Sequence, residues 1–114
     1  MSKAGEAPER GDIIVLQFNS QAGHEQANRR PAVVISDKSY NAKTSLAVVC
    51  PITTEDKGYP FQVALPEGMR TTGFVLADHV KSLDWRARNA RKIETVDAAT
   101  LEDILAKLLV LIDP

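Results

Sequence analysis

The sequence predicts a small α+β barrel, in which several short strands come first and a single helix comes last. Short apolar runs rich in β-branched residues, separated by turn residues, fill the chain up to Val96. After this point the apolar residues recur at helical spacings of three and four. The chain has 114 residues, of which 44% are hydrophobic and only 5% aromatic, so one domain with an aliphatic core is expected. We expect residues 1–10 to form a flexible lead-in and residues 11–114 to form that domain.

Six strands are predicted before the final helix. Proline opens the second strand, where its missing N–H costs no ladder hydrogen bond. Between the second and third strands, residues 37–44 have the composition of a short helical turn. The predicted strands are Asp12–Phe18, Pro31–Ile35, Leu46–Cys50, Phe61–Leu65, Gly73–Ala77 with a continuation toward Ser82, and Ala90–Val96.

The final segment has the pattern of an amphipathic helix, and Asp97 is placed to cap its N-terminus. Its apolar stripe is wider than one face, so we expect the helix to pack in a deep groove or to contribute to a dimer interface. In the dimer, Leu108 and Leu111 should be buried. The apolar positions at helical spacing are Leu101, Ile104, Leu105, Leu108, Leu111 and Ile112.

Cysteine usage and hydropathy indicate a soluble, cytoplasmic protein without a membrane segment. The chain has one cysteine, Cys50, which lies in an apolar run and is expected to be a buried thiol rather than a nucleophile. The N-terminus lacks the apolar centre of a signal peptide. No apolar run approaches the ~20 residues that a membrane helix needs.

The net charge of −1 conceals a basic segment. Between Arg70 and Lys92, six cations face only two acids, Asp78 and Asp84. A basic face on a neutral protein suits a polyanionic partner, although solvated surface cations explain the charge equally well. The six cations are Arg70, Lys81, Arg86, Arg88, Arg91 and Lys92.

Motifs for phosphate-binding loops, paired-cysteine sites and zinc proteases are absent from the sequence. Hydrolysis by a bound metal ion would need several converging carboxylates, which the pattern does not provide, so we expect no metal and no cofactor. His24 and His79 are the only histidines, and an acid–base pair formed by them remains open.

The most unusual segment is the long polar loop that precedes the second strand. Residues 23–31 place Glu25 and two arginines directly before a buried strand. Arginine can grip a phosphate through two parallel hydrogen bonds, and the hydroxyl of Thr53 could add a donor. Phe18 and Phe61 lie at strand ends next to these loops, where they could stack on bases or pack in the core.

Several motifs, taken in order, resemble the MazF/PemK family of toxins and are closest to its MazF branch. The resemblance extends from about Gly11 to Ile112. The matching segments are Gly23-x-Glu25-Gln26-x-x-x-Arg30-Pro31-Ala32-Val33-Val34, Tyr40-Asn41, Pro51-x-Thr53-Thr54, Lys57-Gly58-Tyr59-Pro60-Phe61, and Ala77-Asp78-x-Val80-Lys81-Ser82 followed by Trp85-Arg86-Ala87-Arg88.

The resemblance implies an SH3-like β-barrel of the CcdB/MazF type with a C-terminal helix, assembled as a homodimer. It implies a toxin of a type II toxin–antitoxin module that cleaves single-stranded RNA at short sequences, independently of ribosomes and of metal ions. The ribose 2′-OH would attack the adjacent phosphate and leave 2′,3′-cyclic phosphate and 5′-OH ends. A MazE-like antitoxin would bind as an extended segment that blocks the RNA groove.

Site residues follow from the same resemblance. Arg30 matches the catalytic arginine, Thr53 the threonine that steadies the scissile phosphate, and Glu25 a candidate base. Because the pKa of arginine is above ~12, Arg30 is expected to stabilise negative charge rather than to remove a proton. The expected RNA-binding residues, including the two aromatics, are Phe18, Asn19, Gln26, Asn41, Lys57, Phe61, Asp78, His79 and Lys81.

The sequence departs from the family pattern at three places. PemK-type members have an arginine where this chain has Leu76, and a histidine in the loop that is Asn19–Ala22 here. A PemK-style arginine, aspartate and histidine mechanism is therefore not expected. His79 occupies a glutamine position of the MazF pattern, which bears on base preference.

The main alternative is a CcdB-like poison that binds DNA gyrase and has no nuclease activity. CcdB-like proteins use a C-terminal Trp-Gly-Ile, whereas this chain ends in Leu111-Ile112-Asp113-Pro114 and its only tryptophan is Trp85. A plain SH3-like binding module is a further alternative, but it would not explain Arg30, Thr53 and the basic segment together.

Overall fold

The structure is a computed structural model that describes residues 6–18 and 29–113. This part of the chain contains an antiparallel sheet of short strands, a helix of about two turns inserted between two of them, and a longer C-terminal helix. The elements are β1 (Asp12–Gln17), β2 (Arg29–Val34), α1 (Lys38–Thr44), β3 (Leu46–Thr53), β4 (Gln62–Ala64), β5 (Phe74–Leu76), β6 (Lys81–Asp84), β7 (Arg91–Thr95) and α2 (Ala98–Ile112).

The sheet order is β4-β5-β3-β2-β1-β7, and β6 pairs with β3. The first part of β3, Leu46–Val49, pairs with β6, and its middle, residues 49–51, pairs with β2. Its last residues, Ile52 and Thr53, pair with β5. Between the described strands, no ladder joins β7 to β4, so hydrogen bonds do not close the barrel completely. The predicted α+β class with a strand-rich body and a C-terminal helix is confirmed.

Two apolar clusters lie on opposite faces of the strands, because successive side chains of a strand point to opposite faces. The first cluster includes Ile13, Val33 and Cys50 and is covered by Ile104 of α2, whose side chain is fully buried. The second cluster includes Ile14, Leu16, Ala32, Val34, Ala47, Val49, Leu83 and Trp85. Since both faces are apolar in the middle, exposed polar groups are concentrated at the strand ends.

Both helices begin at capping aspartates. Asp37 accepts a hydrogen bond from the Ser39 backbone N–H at 2.9 Å, and Ser45 ends α1 in the left-handed conformation. Asp97 caps α2 as the sequence predicts, and accepts a hydrogen bond from the Thr100 backbone N–H. Such caps satisfy N–H groups that lack partners in the first turn.

The far end of α2 is apolar and exposed. Leu108 packs partly against the first cluster, whereas Leu111 is 44% exposed and Ile112 is 73% exposed. Burial of Leu111 therefore requires a partner beyond the single chain.

Three strand boundaries differ by more than one residue from those expected. Arg29 and Arg30 belong to β2 rather than to the preceding loop, because they pair with Gln17 and Leu16 of β1. Strand β3 continues to Thr53 because its last residues pair with β5. The expected continuation of the fifth strand toward Ser82 is interrupted by a turn over residues 77–80, after which β6 begins.

Residues 6–10, part of the expected flexible lead-in over residues 1–10, contact the rest of the described chain, and the flexibility of the lead-in stays a prediction. Pro8 is buried and its carbonyl oxygen accepts a hydrogen bond from the Asn41 side chain at 2.9 Å. The Arg10 side chain donates to the Ile35 carbonyl oxygen at 2.8 Å, and Lys38 lies 3.7 Å from Glu6. Residues 1–5 of the lead-in lie outside the described residues.

Cys50 is fully buried in the first cluster, as expected. Burial, together with the nearby negative charge of Asp78, raises the pKa of its thiol to about 12. The thiol is therefore protonated at neutral pH, which does not suit a nucleophile. In the part of the chain that the structure describes, no helix is long and apolar enough to cross a membrane.

Gly73 permits a close approach between the start of β5 and the end of β3. Its φ is +124°, and an added Cβ would lie 2.2 Å from the Thr53 carbonyl oxygen. We predict that Gly73→Ala lowers the free energy of unfolding by more than the ~1–3 kcal/mol that backbone strain alone costs, because Thr53 must also move. Urea unfolding followed by circular dichroism measures the difference.

Gly68→Ala is the matched control for this substitution. Gly68 also has a positive φ, +93°, but nothing lies within 4 Å of an added Cβ. The control therefore reports backbone strain without the collision. Equal losses of stability in the two variants would contradict the close approach of Gly73 to Thr53.

Candidate nucleic-acid interface

The strand register places Arg30 and Thr53 on one face of the sheet. Arg30 pairs with Leu16, which belongs to the second cluster, and Val49 of that cluster has Thr53 four residues further along β3. The β2–β3 ladder ends at the pair Ala32↔Pro51. The ladder does not extend to Arg30 and Thr53. Because side chains alternate along each strand, both of these residues nevertheless lie on the face of the second cluster.

Both side chains present groups that suit a phosphate. Arg30 is exposed, and no carboxylate of a described residue lies within salt-bridge distance of its guanidinium. The half-buried Thr53 hydroxyl accepts a hydrogen bond from the Glu55 backbone N–H at 3.1 Å, which leaves its own proton to donate. A cation and a hydroxyl donor on one face can hold a phosphate oxygen between them.

Lys81 and Phe18 extend this face along the sheet. Lys81 pairs with Val49, so its side chain lies on the same face as Thr53. The Lys81 ammonium is 5.6 Å from the centroid of the Phe18 ring, within the range of a cation–π contact. Phe18 packs partly against the second cluster. Basic, hydroxyl and aromatic groups thus share one surface, which we call the Arg30 face: Phe18, Arg30, Thr53 and Lys81.

The loop after β3 is bonded to the turn after β5. The Tyr59 hydroxyl donates to Asp78 Oδ1 at 2.5 Å, and the Ala77 backbone N–H donates to the Phe61 carbonyl oxygen at 3.0 Å. Desolvation and the hydrogen bond to Asp78 raise the pKa of Tyr59 to about 12, so the phenol stays protonated. These bonds fix the two segments relative to each other.

The remaining predicted residues of these segments are accessible to different degrees. Lys57 is exposed, and its ammonium lies 3.5 Å from Glu55. The His79 side chain is about half exposed, with Nε2 3.8 Å from Asp78 Oδ1. Phe61 is half-buried, so the structure leaves part of its ring accessible.

Two arginines that the sequence analysis did not single out individually bind backbone carbonyl oxygens. The Arg88 guanidinium donates to the carbonyl oxygens of Gln17 at 2.9 Å and Phe18 at 2.6 Å. The Arg29 guanidinium donates to the carbonyl oxygens of Val15 at 3.0 Å and Asn89 at 2.9 Å. The basic composition indicated arginines here, but only the fold shows that these two bind backbone.

The expectation that Asn41 contacts RNA is contradicted by its burial. Its side chain has no exposed surface. Its amide donates to the carbonyl oxygens of Pro8 and Ser36, and its Oδ1 accepts from the Ser36 hydroxyl at 2.6 Å. The Trp85 indole N–H also donates to the Asn41 carbonyl oxygen. Asn41 therefore joins α1 to the N-terminal segment and to the second cluster.

Four residues named from the sequence, Asn19, His24, Glu25 and Gln26, lie outside the described residues. Their place relative to Arg30 stays a prediction. Among the residues that are described, no group of three His, Cys, Asp or Glu side chains is arranged to hold a metal ion.

Comparisons with known proteins agree with this fold. The sequence model of one protein family, the PemK-like, MazF-like toxins of type II toxin–antitoxin systems, matches residues 9–112. The endoribonuclease toxin MazF of Escherichia coli K12 is 50% identical over 105 residues, which cover 92% of this chain and 94% of the relative. The endoribonuclease PemK of Escherichia coli is 34% identical over 104 residues, covering 88% and 78% of the two chains.

Solved structures show the same architecture. A crystal structure of MazF from Deinococcus radiodurans has a TM-score of 0.85 and 45% identity, and the match covers 95% of this chain and 98% of that one. A MazE–MazF crystal structure from the same organism has a TM-score of 0.84 and 40% identity, covering 94% and 96%. The chain therefore belongs to the family of PemK-like, MazF-like toxins of type II toxin–antitoxin systems.

Proposed function

We propose that this protein is the toxin of a type II toxin–antitoxin module and acts as an endoribonuclease on single-stranded RNA. Relatives at 50% and 34% identity are endoribonucleases. The observation that supports the activity best is that Arg30, which has no carboxylate of a described residue within salt-bridge distance, lies on the same face of the sheet as Thr53. We propose further that cleavage is sequence-specific and needs neither a ribosome nor a metal ion.

In the proposed reaction, the ribose 2′-OH attacks the adjacent phosphorus. The bond to the 5′ oxygen of the next nucleotide breaks, leaving a 2′,3′-cyclic phosphate and a 5′-OH. Arg30 stabilises the additional negative charge that develops on the phosphate oxygens, and Thr53 donates a hydrogen bond to one of them. Glu25 is proposed to accept the 2′-OH proton, and a water molecule is proposed to donate a proton to the leaving 5′ oxygen.

The RNA is proposed to lie along the Arg30 face. Phe18 offers a partly exposed ring for base stacking, and Lys81 and Lys57 supply positive charge for the backbone. Phe61, Asp78 and His79 lie on the two bonded segments beside this face. Asn19 and Gln26 complete the proposed set of RNA contacts.

We propose that a MazE-like antitoxin regulates the protein by covering this RNA groove. The support is that MazE–MazF complexes are known for relatives with the same fold. The protein is proposed to act in the cytoplasm, where its RNA substrates are found. Residues 11–114 are proposed to form one domain.

We predict that the purified protein cuts a long RNA into discrete fragments in the presence of EDTA. Attack by the 2′-OH needs no metal-activated water, so the chelator should not slow cleavage. The fragments should have 2′,3′-cyclic phosphate and 5′-OH ends, which mass spectrometry and phosphatase treatment identify. Intact RNA, together with trapped gyrase–DNA complexes, would instead support a gyrase poison.

Substitutions of Arg30 and Thr53 connect that activity to the proposed site. Arg30→Ala and Thr53→Ala should each slow cleavage by about 10²–10³-fold, as for the loss of one transition-state donor. The cleavage rate of Arg30→Lys should lie between those of the parental protein and of Arg30→Ala, because lysine keeps the positive charge but loses the two parallel N–H donors of arginine. Arg91→Ala is the control, since Arg91 is exposed and pairs with Val15, on the other face. Parental rates in Arg30→Ala would refute the assignment.

We also propose a homodimer in which the exposed end of α2 is covered. The support is the run of exposed apolar side chains from Leu109 to Ile112. Light scattering at micromolar concentration should give the mass of a dimer, and Leu111→Lys should shift it toward the monomer. Ala106→Lys, at an exposed position on the same helix, should not. A monomer for the parental protein would contradict the proposal.

A further inference from the structure

A tyrosine outside the proposed catalytic group holds the acidic side chain of the turn after β5. The Tyr59 hydroxyl donates to Asp78 Oδ1 at 2.5 Å. The Asp78 side chain is 27% exposed, and its second oxygen, Oδ2, accepts no hydrogen bond from any described residue. One carboxylate oxygen is thus held by the protein, and the other remains available to a ligand.

The backbone around this pair is fixed from two directions. The Ala77 N–H donates to the Phe61 carbonyl oxygen at 3.0 Å, and the His79 N–H donates to the Leu76 carbonyl oxygen at 3.1 Å. Asp78 lies between these two bonded residues. The carboxylate therefore has a defined position as well as a defined rotamer, which is what recognition of a directional donor requires.

The charge of Asp78 is unfavourable for binding the phosphates of RNA. The turn leads directly into β6, where Lys81 lies on the Arg30 face with its ammonium near Phe18. A carboxylate next to such a basic surface repels the nucleic-acid backbone and weakens affinity. What a carboxylate can accept from RNA is a hydrogen bond from a base, and unpaired bases expose such donors.

Building on the RNA cleavage proposed above, we propose that Tyr59 is a positioning residue for base specificity. Its hydroxyl orients Asp78 so that Oδ2 accepts a hydrogen bond from the exocyclic amino group of one unpaired base. Adenine, cytosine and guanine have such a group, whereas uracil has none. One position of the cleaved sequence is therefore read for an amino group.

The test measures kcat/KM for pairs of oligoribonucleotides that differ at one position of the cleaved sequence. One member of each pair has a base with an exocyclic amino group at that position, and the other has uracil. A randomised RNA pool identifies the position first. The parental protein should prefer the amino-bearing base there, and Tyr59→Phe should reduce this preference by about tenfold, the effect of one misplaced hydrogen bond to a base. Preferences at the other positions should not change.

Two further variants separate the contributions of the hydroxyl and of the charge. Asp78→Asn keeps an oxygen that can accept from Tyr59 but replaces the Oδ2 acceptor by an NH2 donor, so it should also lose the preference against uracil. Tyr40→Phe is the matched control, because Tyr40 is 41% exposed, lies on α1, and has no described hydrogen bond from its hydroxyl to Asp78. It should leave every preference unchanged.

An unchanged preference in Tyr59→Phe would overturn the inference, as would an equal loss of preference at every position. A parental protein that cleaves RNA without preferring amino-bearing bases at any position would also overturn it. These results leave the proposed nuclease intact. Failure of the parental protein to cleave any RNA would instead refute the nuclease, and with it this inference.

Discussion

The pairing of β3 with three other strands is the constraint on which the rest of the structure depends. This strand pairs with β6 along its first part, with β2 in its middle and with β5 at its end. Its side chains contribute to both apolar clusters, Cys50 to the first and Val49 to the second. Because β3 is bonded in this way, the position of Thr53 is set by the centre of the fold rather than by a loop.

The use of both faces for apolar packing explains where chemistry can occur. A sheet that is buried in its middle leaves exposed polar side chains at the strand ends. Arg30 lies at the beginning of β2 and Thr53 at the end of β3, and in an antiparallel pair these two ends are adjacent. The same rule brings Phe18, which follows the end of β1, to this edge.

Arginine has two distinct functions in this small protein. Arg29 and Arg88 bind backbone carbonyl oxygens and fix the chain before and after segment 19–28. Among the described residues, the Arg30 guanidinium donates no hydrogen bond to a backbone carbonyl oxygen. No carboxylate of a described residue lies within salt-bridge distance of it. Of these two adjacent arginines, Arg29 thus stabilises the fold, and Arg30 is able to bind an anion.

Local patterns predicted the strands, the helix and the Asp97 cap, because alternation, helical spacing and capping are properties of neighbouring residues. The motifs identified Arg30 and Thr53, but not that the alternation of two paired strands would place them on one face of the sheet. Asn41 was misassigned because its hydrogen bonds reach Pro8, 33 residues away, and no local pattern reveals such a partner. Tyr59 was visible within a motif, but its role depends on a contact with Asp78, 19 residues away.

The most direct measurement of the central claim is a crystal structure with RNA that carries a 2′-deoxy sugar at the cleavage position, which prevents the attack. The account predicts that the scissile phosphate lies on the Arg30 face, with its oxygens bonded to the Arg30 guanidinium and the Thr53 hydroxyl. A phosphate bound on the opposite face, or held by the exposed Arg86 and Arg91 with Arg30 unengaged, would contradict it.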